Sequence, residues 1–218
     1  MKKIEILYED DSCLVFDKPY GLAVQGGQNI KQSLDSIMSA EYQTLGLSER
    51  PLLVHRLDKD TSGVLLLAKT PQYAAYYSKI IFQKETQKIY RAICLATHCG
   101  SLKNDGEISS VIEINGVKKN AQTYYKVLKT TTDFSLLELR LGTGRMHQIR
   151  RHLAANKSPI IGDDKYGDFK LNRKLRKECG VKRLMLHAYR LAFNNPFDVF
   201  VDICSPLPPD FDLFCRQI

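Results

Sequence analysis

A polar loop between two apolar segments carries residue types suited to acid–base or nucleophilic chemistry. Residues 55–63 place two carboxylates, Asp58 and Asp60, among three cationic side chains, and the flanking segments 52–54 and 64–67 contain only Leu and Val. Buried strands on both sides would hold this loop rigidly, so that one carboxylate points inward and can act as a nucleophile. The alternative is a solvated hairpin turn, in which Asp60 and the hydroxyl side chains after it only satisfy backbone amides.

A second group of charged residues follows a glycine-rich turn. Gly142 and Gly144 lead into a segment with helical spacing, and a helix start with exposed amides favours an anion. Three cations of this segment would strengthen such a site, namely Arg145, Arg150 and Arg151. A guanidinium group binds carboxylate or phosphate through two parallel hydrogen bonds, so one of these side chains could orient a catalytic aspartate. The alternative is an amphipathic helix with arginines on its outer face.

A third feature is the strand-like segment 88–92, KIYRA. Alternation along a strand places Lys88 and Tyr90 on the same face. An aromatic ring beside cations can stack on a nucleobase. The alternative is a tyrosine that simply belongs to the core.

The elements that must position these residues are mostly strands joined by hairpin turns, which favours an α+β fold with a largely antiparallel sheet. A helix is predicted over residues 71–82, with Thr70 as N-cap and Pro71 as the first helical residue. Further strands, two short helices and a helix over 146–156 are predicted; in the last, Met146, Ile149 and Leu153 share the apolar face and Arg150 points away from it. With neither a repeat nor a flexible linker, we expect one domain over residues 1–218.

The charge of the chain is concentrated in one segment. The chain has 218 residues and a formal net charge of +8, but residues 140–190 alone contain 14 Lys and Arg against 4 Asp and Glu, a net charge of +10. Such a segment is typical of a surface that binds a polyanion, either nucleic acid or anionic membrane. A solvated helix face is the alternative for the cations between residues 173 and 177. No metal-ligand spacing or CxxC pair occurs, so we expect neither a bound metal nor disulfides.

Several sequence blocks together resemble the RluA family of bacterial RNA pseudouridine synthases. The blocks are HRLDKDTSGVLLLAKT at 55–70, KIYRA at 88–92 and GTGRMHQIRRHL at 142–153, with KPYGLAVQGG before them and PIIGDDKYG after them. They occur in family order across most of the chain. The resemblance implies an α+β fold with a central mixed, mostly antiparallel sheet and flanking helices and loops, and a reaction without metal or organic cofactor.

The resemblance also assigns roles to individual residues. It implies that Asp58 is the catalytic carboxylate, that Tyr90 stacks on the target uracil, and that Arg150 pairs with Asp58. It implies that Arg56 contacts RNA beside the flipped base. We expect further RNA contacts from charged side chains of the same blocks, namely His55, Lys88, Arg145, His147 and Arg151.

The expected partner is therefore rRNA or tRNA, bound by a cytoplasmic monomer that needs no obligate protein partner and no membrane. The blocks begin close to residue 1, so an N-terminal S4-type RNA-binding domain is not expected. Two alternatives remain: a non-catalytic RNA-binding or ribosome-assembly module with the same fold, and an anionic-lipid-binding protein. The second lacks the aromatic-flanked amphipathic helix that interfacial binding requires.

Overall fold

The computed structural model describes residues 4–28, 30–46, 50–96, 102–114 and 116–218. The strands are β1 (Glu5–Glu9), β2 (Cys13–Lys18), β3 (Leu52–Leu53), β4 (Ser62–Ala68), β5 (Gln87–Leu95), β6 (Asp105–Ile114), β7 (Val117–Thr130), β8 (Phe134–Leu141), β9 (Leu186–Asn194) and β10 (Phe200–Cys204). The helices are α1 (Leu34–Thr44), α2 (Pro71–Phe82), α3 (Gln148–Ala155), α4 (Phe169–Glu178) and α5 (Pro209–Gln217).

The chain divides into two compact units. The first combines Met1–Lys88 with Ala188–Pro206, and the second combines Ile89–His187 with Leu207–Ile218. The single domain expected over residues 1–218 stays a prediction.

Strand β4 is the centre of the first unit. The strand order is β1–β2–β4–β9, with β2 antiparallel to both β1 and β4 and with β10 antiparallel to β9. All seven residues of β4 are buried, because apolar side chains cover both of its faces. Helix α2 packs on this core through Tyr77 and Ile80, and the ring of Tyr77 meets that of Phe193 edge to face at 5.5 Å.

The second unit contains the strand order β5–β8–β7–β6, and each of these pairs is antiparallel. Helices α3 and α5 contribute buried apolar residues to the core of this unit, which include Ile149, Leu153, Phe211 and Phe214. The α+β class is confirmed: the sheet is mixed and mostly antiparallel, and helices flank the strands.

Capping residues next to the helices determine where α2 and α4 begin. Helix α2 has the predicted bounds, because the Thr70 hydroxyl accepts a hydrogen bond from the Tyr73 amide and Pro71 occupies the first turn. Helix α4 begins at Phe169. Its N-cap is Asp168, whose carboxylate accepts the amides of Lys170 and Leu171.

The prediction for α3 was wrong at its start and for one of its faces. The helix begins at Gln148, because His147 takes a left-handed backbone with φ of 53°. Met146 therefore lies outside the helix, and its side chain is 48% exposed instead of sharing the apolar face. Arg150 was expected to point away from that face, yet it is buried, because a carboxylate neutralises it.

None of the helices within the described ranges has the length and apolar character that crossing a membrane requires. Among the same residues, no group of three or more His, Cys, Asp or Glu side chains is arranged to hold a metal ion.

Candidate active site

The loop that carries Asp58 joins β3 to β4 in the first unit, and a buried lysine restrains its backbone. The Lys18 ammonium group donates to the carbonyl of Lys59 at 3.1 Å and to that of Leu22, in its own loop, at 2.8 Å. The Gly21 amide donates to the same Lys59 carbonyl at 2.9 Å. Because Lys18 is fully buried, these bonds form in a low-dielectric environment, where they are strong. The main chain next to Asp58 is therefore held in place.

The two carboxylates of this loop differ in exposure. Asp58 is half-buried, whereas Asp60 and Arg56 are exposed. The Asp58 carbonyl accepts the Thr61 amide at 3.1 Å, which closes the turn. Gly63, in strand β4 after this turn, has φ of 111°. A Cβ atom there would lie 2.2 Å from the Ala188 carbonyl oxygen. Only glycine permits this close approach of two backbones.

His55 supports the loop from within the first unit. Its Nε2 atom accepts the Leu66 amide at 3.0 Å, so the ring proton is on Nδ1. Burial, with the nearby charge of Lys88, lowers the pKa of His55 to about 3, so the ring is neutral at pH 7. Burial also lowers the pKa of Lys88 to about 8. That His55 and Lys88 contact RNA stays a prediction.

The second unit contains a buried ion pair between Arg150 of α3 and Asp163. The Nε and one Nη atom of Arg150 donate to the two carboxylate oxygens of Asp163, each at 2.8 Å. The side chains are 8% and 1% exposed. This planar, two-bond arrangement fixes both the position and the orientation of the guanidinium group.

Asp163 was not identified from the sequence as a functional residue, although the quoted block PIIGDDKYG contains it. Burial alone would raise the pKa of Asp163, but hydrogen bonds and charge from Arg150 and the amides of Lys165 and Tyr166 outweigh it and keep the pKa below its usual range. Both amides lie 3.0 Å from the carboxylate. The sequence signals were its place in that block and an acidic pair that follows two isoleucines and a glycine.

Tyr166 connects two of the predicted site residues. Its hydroxyl group and His147 Nδ1 are hydrogen-bonded at 2.9 Å, and its ring centre lies 5.2 Å from the Arg150 guanidinium carbon. His147 has a left-handed backbone, with φ of 53°. The structure thus brings His147 and Arg150 together around Tyr166, for which the sequence analysis predicted no separate role.

Gln148 is a second residue that the sequence did not identify. Its buried carboxamide accepts the Thr143 hydroxyl at 2.5 Å and the Arg145 amide at 3.1 Å. It donates to the Gln122 carbonyl at 2.8 Å and to the Thr123 hydroxyl at 2.9 Å. All four bonding positions of the amide are satisfied, so the glycine-rich turn is fixed to β7.

Two further arginines of this block contact the β6–β7 hairpin. Arg145 Nε donates to the Asn120 carbonyl at 3.2 Å, and Arg151 donates to the Glu113 carbonyl at 3.1 Å. Each of these bonds uses part of a guanidinium group with five donors. The predicted RNA contacts of Arg145, His147, Arg151 and Arg56 remain predictions.

Tyr90 lies in β5 opposite Leu139 and packs, partly buried, against the core of the second unit. Its stacking on uracil stays a prediction. The pairing of Asp58 with Arg150 also stays a prediction; within its own unit, Arg150 forms an ion pair with Asp163.

This arrangement provides a half-buried carboxylate on a restrained loop and, in the second unit, a guanidinium group held in a fixed orientation. A carboxylate of this kind can attack an electrophilic carbon, remove a proton or stabilise positive charge. The described site residues offer oxygen and nitrogen atoms of side chains and backbone. Such atoms suit acid–base and covalent chemistry.

Comparison with known proteins identifies the class. Residues 12–155 match the RNA pseudouridylate synthase family, and the chain belongs to that family. It is 34% identical over 212 residues to the ribosomal large subunit pseudouridine synthase C of Vibrio parahaemolyticus, covering 93% of this chain and 65% of that protein. It is 33% identical over 217 residues to the tRNA pseudouridine synthase C of Vibrio vulnificus, covering 89% and 86%.

The chain spans less than two thirds of the length of the ribosomal relatives from three Vibrio species, between 61% and 65%. Among solved structures, the human RNA pseudouridylate synthase domain containing 4 superimposes with a TM-score of 0.81 at 27% identity. That comparison covers 97% of this chain and 92% of the human chain. The fold implied by the sequence resemblance is therefore confirmed.

Proposed function

We propose that this protein is an RNA pseudouridine synthase in which Asp58 is the catalytic carboxylate. The observation that carries the proposal is the placement of Asp58: it occupies the Asp position of the HRLD block in a chain of this family, half-buried on a loop that Lys18 restrains. Restraint of this kind keeps a reacting group in the geometry that the reaction needs.

The proposed reaction isomerises a uridine within RNA. The N1–C1′ glycosidic bond breaks, the uracil rotates, and C5 bonds to C1′ of the same ribose, while N1 gains a proton and C5 loses one. No atoms are gained or lost overall, so no group donor or redox partner takes part. Asp58 either attacks the sugar or removes a proton from it to give a glycal, and both routes require the ionised carboxylate.

Arg150 and Tyr90 complete the proposed mechanism. A guanidinium group beside Asp58 would keep that carboxylate ionised and oriented. The ring of Tyr90 would stack on the displaced uracil. Arg150 suits its role because Asp163 already fixes the plane of its guanidinium group.

RNA binding is assigned mainly to the basic surface of the second unit. On helix α4, the cations at positions 173, 174, 176 and 177 are exposed, while Asn172 and Leu175 face inward. Phosphate contacts from such a face would offset the cost of removing the target base from its stack, a few kcal/mol. Liposome flotation without binding, together with a shift of RNA in a gel, would exclude an anionic-lipid-binding protein.

The substrate is proposed to be rRNA or tRNA, since relatives named for each are about equally similar. We place the protein in the cytoplasm, where these RNAs are modified, and expect a monomer without an obligate protein partner. Mapping pseudouridines by carbodiimide-dependent primer extension in cells without the gene would identify the modified position.

The test replaces Asp58 by Asn and uses Asp60→Asn as the matched control. Both changes remove one negative charge from the same loop, but Asp60 is exposed. We expect Asp58→Asn to lower pseudouridine formation by about 1000-fold or more with RNA binding retained, and Asp60→Asn to stay near wild type. Activity of Asp58→Asn near wild type would exclude Asp58 as the catalytic carboxylate. RNA binding by the wild type without any pseudouridine formation would instead favour the non-catalytic RNA-binding module.

A further inference from the structure

Asn172 lies on the inner face of α4, one turn after the N-cap Asp168, and is buried. Its Oδ1 atom accepts the Gly162 amide at 2.9 Å, and its Nδ2 atom donates to the Asp163 carbonyl at 2.9 Å. A longer contact of 3.4 Å joins Nδ2 to the Asp164 carboxylate. One side-chain amide thus binds the backbone on both sides of the Asp163 Cα atom.

The backbone that Asn172 binds takes a path that few residues permit. Gly162 has φ of 76°, and a Cβ at this position would lie 1.9 Å from the Arg183 carbonyl oxygen. Only glycine allows the chain to pass this close to the Arg183 backbone. A carboxamide suits this backbone because it offers one acceptor and donors in a plane, and these match the amide and the carbonyl it meets.

The direction of the Asp163 side chain follows from this backbone. Its carboxylate must present both oxygens to the Nε and Nη atoms of Arg150, each at 2.8 Å. We propose that Asn172 is a positioning residue for the pseudouridine synthase reaction, which acts through Asp163 to set the orientation of the Arg150 guanidinium group. This inference rests on the proposed function of Arg150, and it assigns to α4 a task beyond presenting its cations to RNA.

The first test measures Asn172→Ala with an RNA substrate. Displacement of a catalytic group by about 1 Å costs up to about 100-fold in rate, so we expect kcat to fall by about 10-fold to 100-fold while KM changes less than about threefold. The acid limb of the pH profile of kcat should also move to higher pH. Asp163 would hold Arg150 less firmly, so Arg150 would favour the ionised catalytic carboxylate less. An unchanged kcat, or a rise in KM alone, would overturn the proposal.

A second variant, Asn172→Asp, tests the hydrogen-bonding pattern itself. A protonated carboxyl group offers the same acceptor and donor as the amide, whereas an ionised one loses the donor and repels Asp163. The ratio of kcat for Asn172→Asp to kcat for Asn172→Ala should therefore rise as the pH falls from 8 to 5. A ratio independent of pH would mean that these two bonds do not matter for the reaction.

Asn156→Ala is the matched control, since it also removes an amide of the second unit, one that donates to the His152 carbonyl at 2.8 Å. If Asn156→Ala lost as much kcat as Asn172→Ala, the loss would reflect general destabilisation, and the proposal would be overturned. A readout independent of activity is the Arg150 Nε–H resonance in ¹⁵N NMR. It should be sharp and slow to exchange in the wild type and in Asn156→Ala, and broadened in Asn172→Ala.

The NMR measurement also separates this proposal from the proposed function. If the wild type forms no pseudouridine but the Arg150 resonance still responds to Asn172→Ala, the proposed function fails and the positioning contact stands. If the resonance does not respond, the positioning role fails, whatever the activity.

Discussion

At the scale of the residue, burial determines how much an ion pair contributes to stability. The Arg150–Asp163 pair is almost inaccessible to solvent, whereas the Arg190–Asp202 pair has the same two-bond geometry with side chains 31% and 37% exposed. Removing one partner of a buried pair leaves an unpaired charge in a low-dielectric interior, while an exposed charge is rehydrated. The two pairs therefore form a natural comparison.

We predict that Asp163→Asn lowers the free energy of unfolding by about 3 to 5 kcal/mol, and that Asp202→Asn lowers it by less than about 1 kcal/mol. Urea denaturation at pH 7 measures both. Equal losses would contradict the view that burial sets the difference. The folded pKa of Asp163 is depressed, so its stabilisation is present above the unfolded pKa of about 4 and is lost as the pH falls through the folded pKa.

The lowered pKa of His55 predicts a second pH effect on the free energy of unfolding, at higher pH than the effect of Asp163. Its pKa is about 3 in the folded protein and about 6.5 when unfolded, so the unfolded state binds the extra proton between these values. Stability is complete above about pH 6.5 and falls by about 1.4 kcal/mol per pH unit well below it. Between pH 7.5 and 5.0, the wild type should lose about 2 kcal/mol more than His55→Gln in the free energy of unfolding.

Chemical denaturation of both proteins at the two pH values checks this prediction. Contributions from other titrating groups cancel in the difference between wild type and variant. Parallel pH dependence of the two proteins would mean that the imidazole is protonated in the folded state, and that it does not accept the Leu66 amide.

At the scale of the element, α4 presents two different faces. Lys170, Arg173 and Lys177 lie within one stripe by their i, i+3 and i+7 spacing, opposite Asn172 and Leu175. Within the described ranges none of these three cations is paired with a carboxylate, although Lys174 and Arg176 are. The stripe is therefore the part of the helix whose charge is most available to phosphate.

We predict that replacing Lys170, Arg173 and Lys177 together by Gln weakens RNA binding and lowers the slope of log K against log salt by about 2 to 3. The control is a triple Gln variant of exposed lysines in the first unit, Lys31, Lys79 and Lys84, which makes the same charge change. Filter binding at several salt concentrations measures both variants. Equal effects would show that RNA responds only to net charge and not to this helix face.

Elements with strong local signals were predictable, and those fixed by tertiary contacts were not. Helix α2 has its cap and its proline in adjacent positions, and its predicted bounds are confirmed. The start of α3 was wrong, because the left-handed backbone at His147 leaves no mark in the periodicity. Asp163 and Gln148 were missed for a related reason: Asp163 binds the Arg150 side chain, 13 residues before it, and Gln148 binds the Gln122 carbonyl, 26 residues before it.

At the scale of the whole molecule, charge divides unequally between the two units. The second unit contains 20 Lys and Arg against 11 Asp and Glu, a net charge of +9, which leaves −1 for the first unit. The sequence predicted the basic segment, since charge needs only counting. The sequence could not show how this charge divides between the units. Ala188–Pro206 follow most of the basic segment in the chain but belong to the first unit.

This division predicts a lysine footprint of bound RNA. Acetylation of exposed lysines, read by mass spectrometry with and without a tRNA or rRNA fragment, should show RNA protecting Lys170 and Lys177 of the second unit but not Lys79 and Lys84 of the first. Lys59 should be the exception in the first unit, because it adjoins Asp58 and the proposed reaction brings RNA to that loop. High salt should remove the protection at every site, since screening weakens phosphate contacts. Protection of Lys79 and Lys84 would contradict the basic surface as the RNA-binding site. An unchanged Lys59 would contradict Asp58 as the residue that meets the target nucleotide.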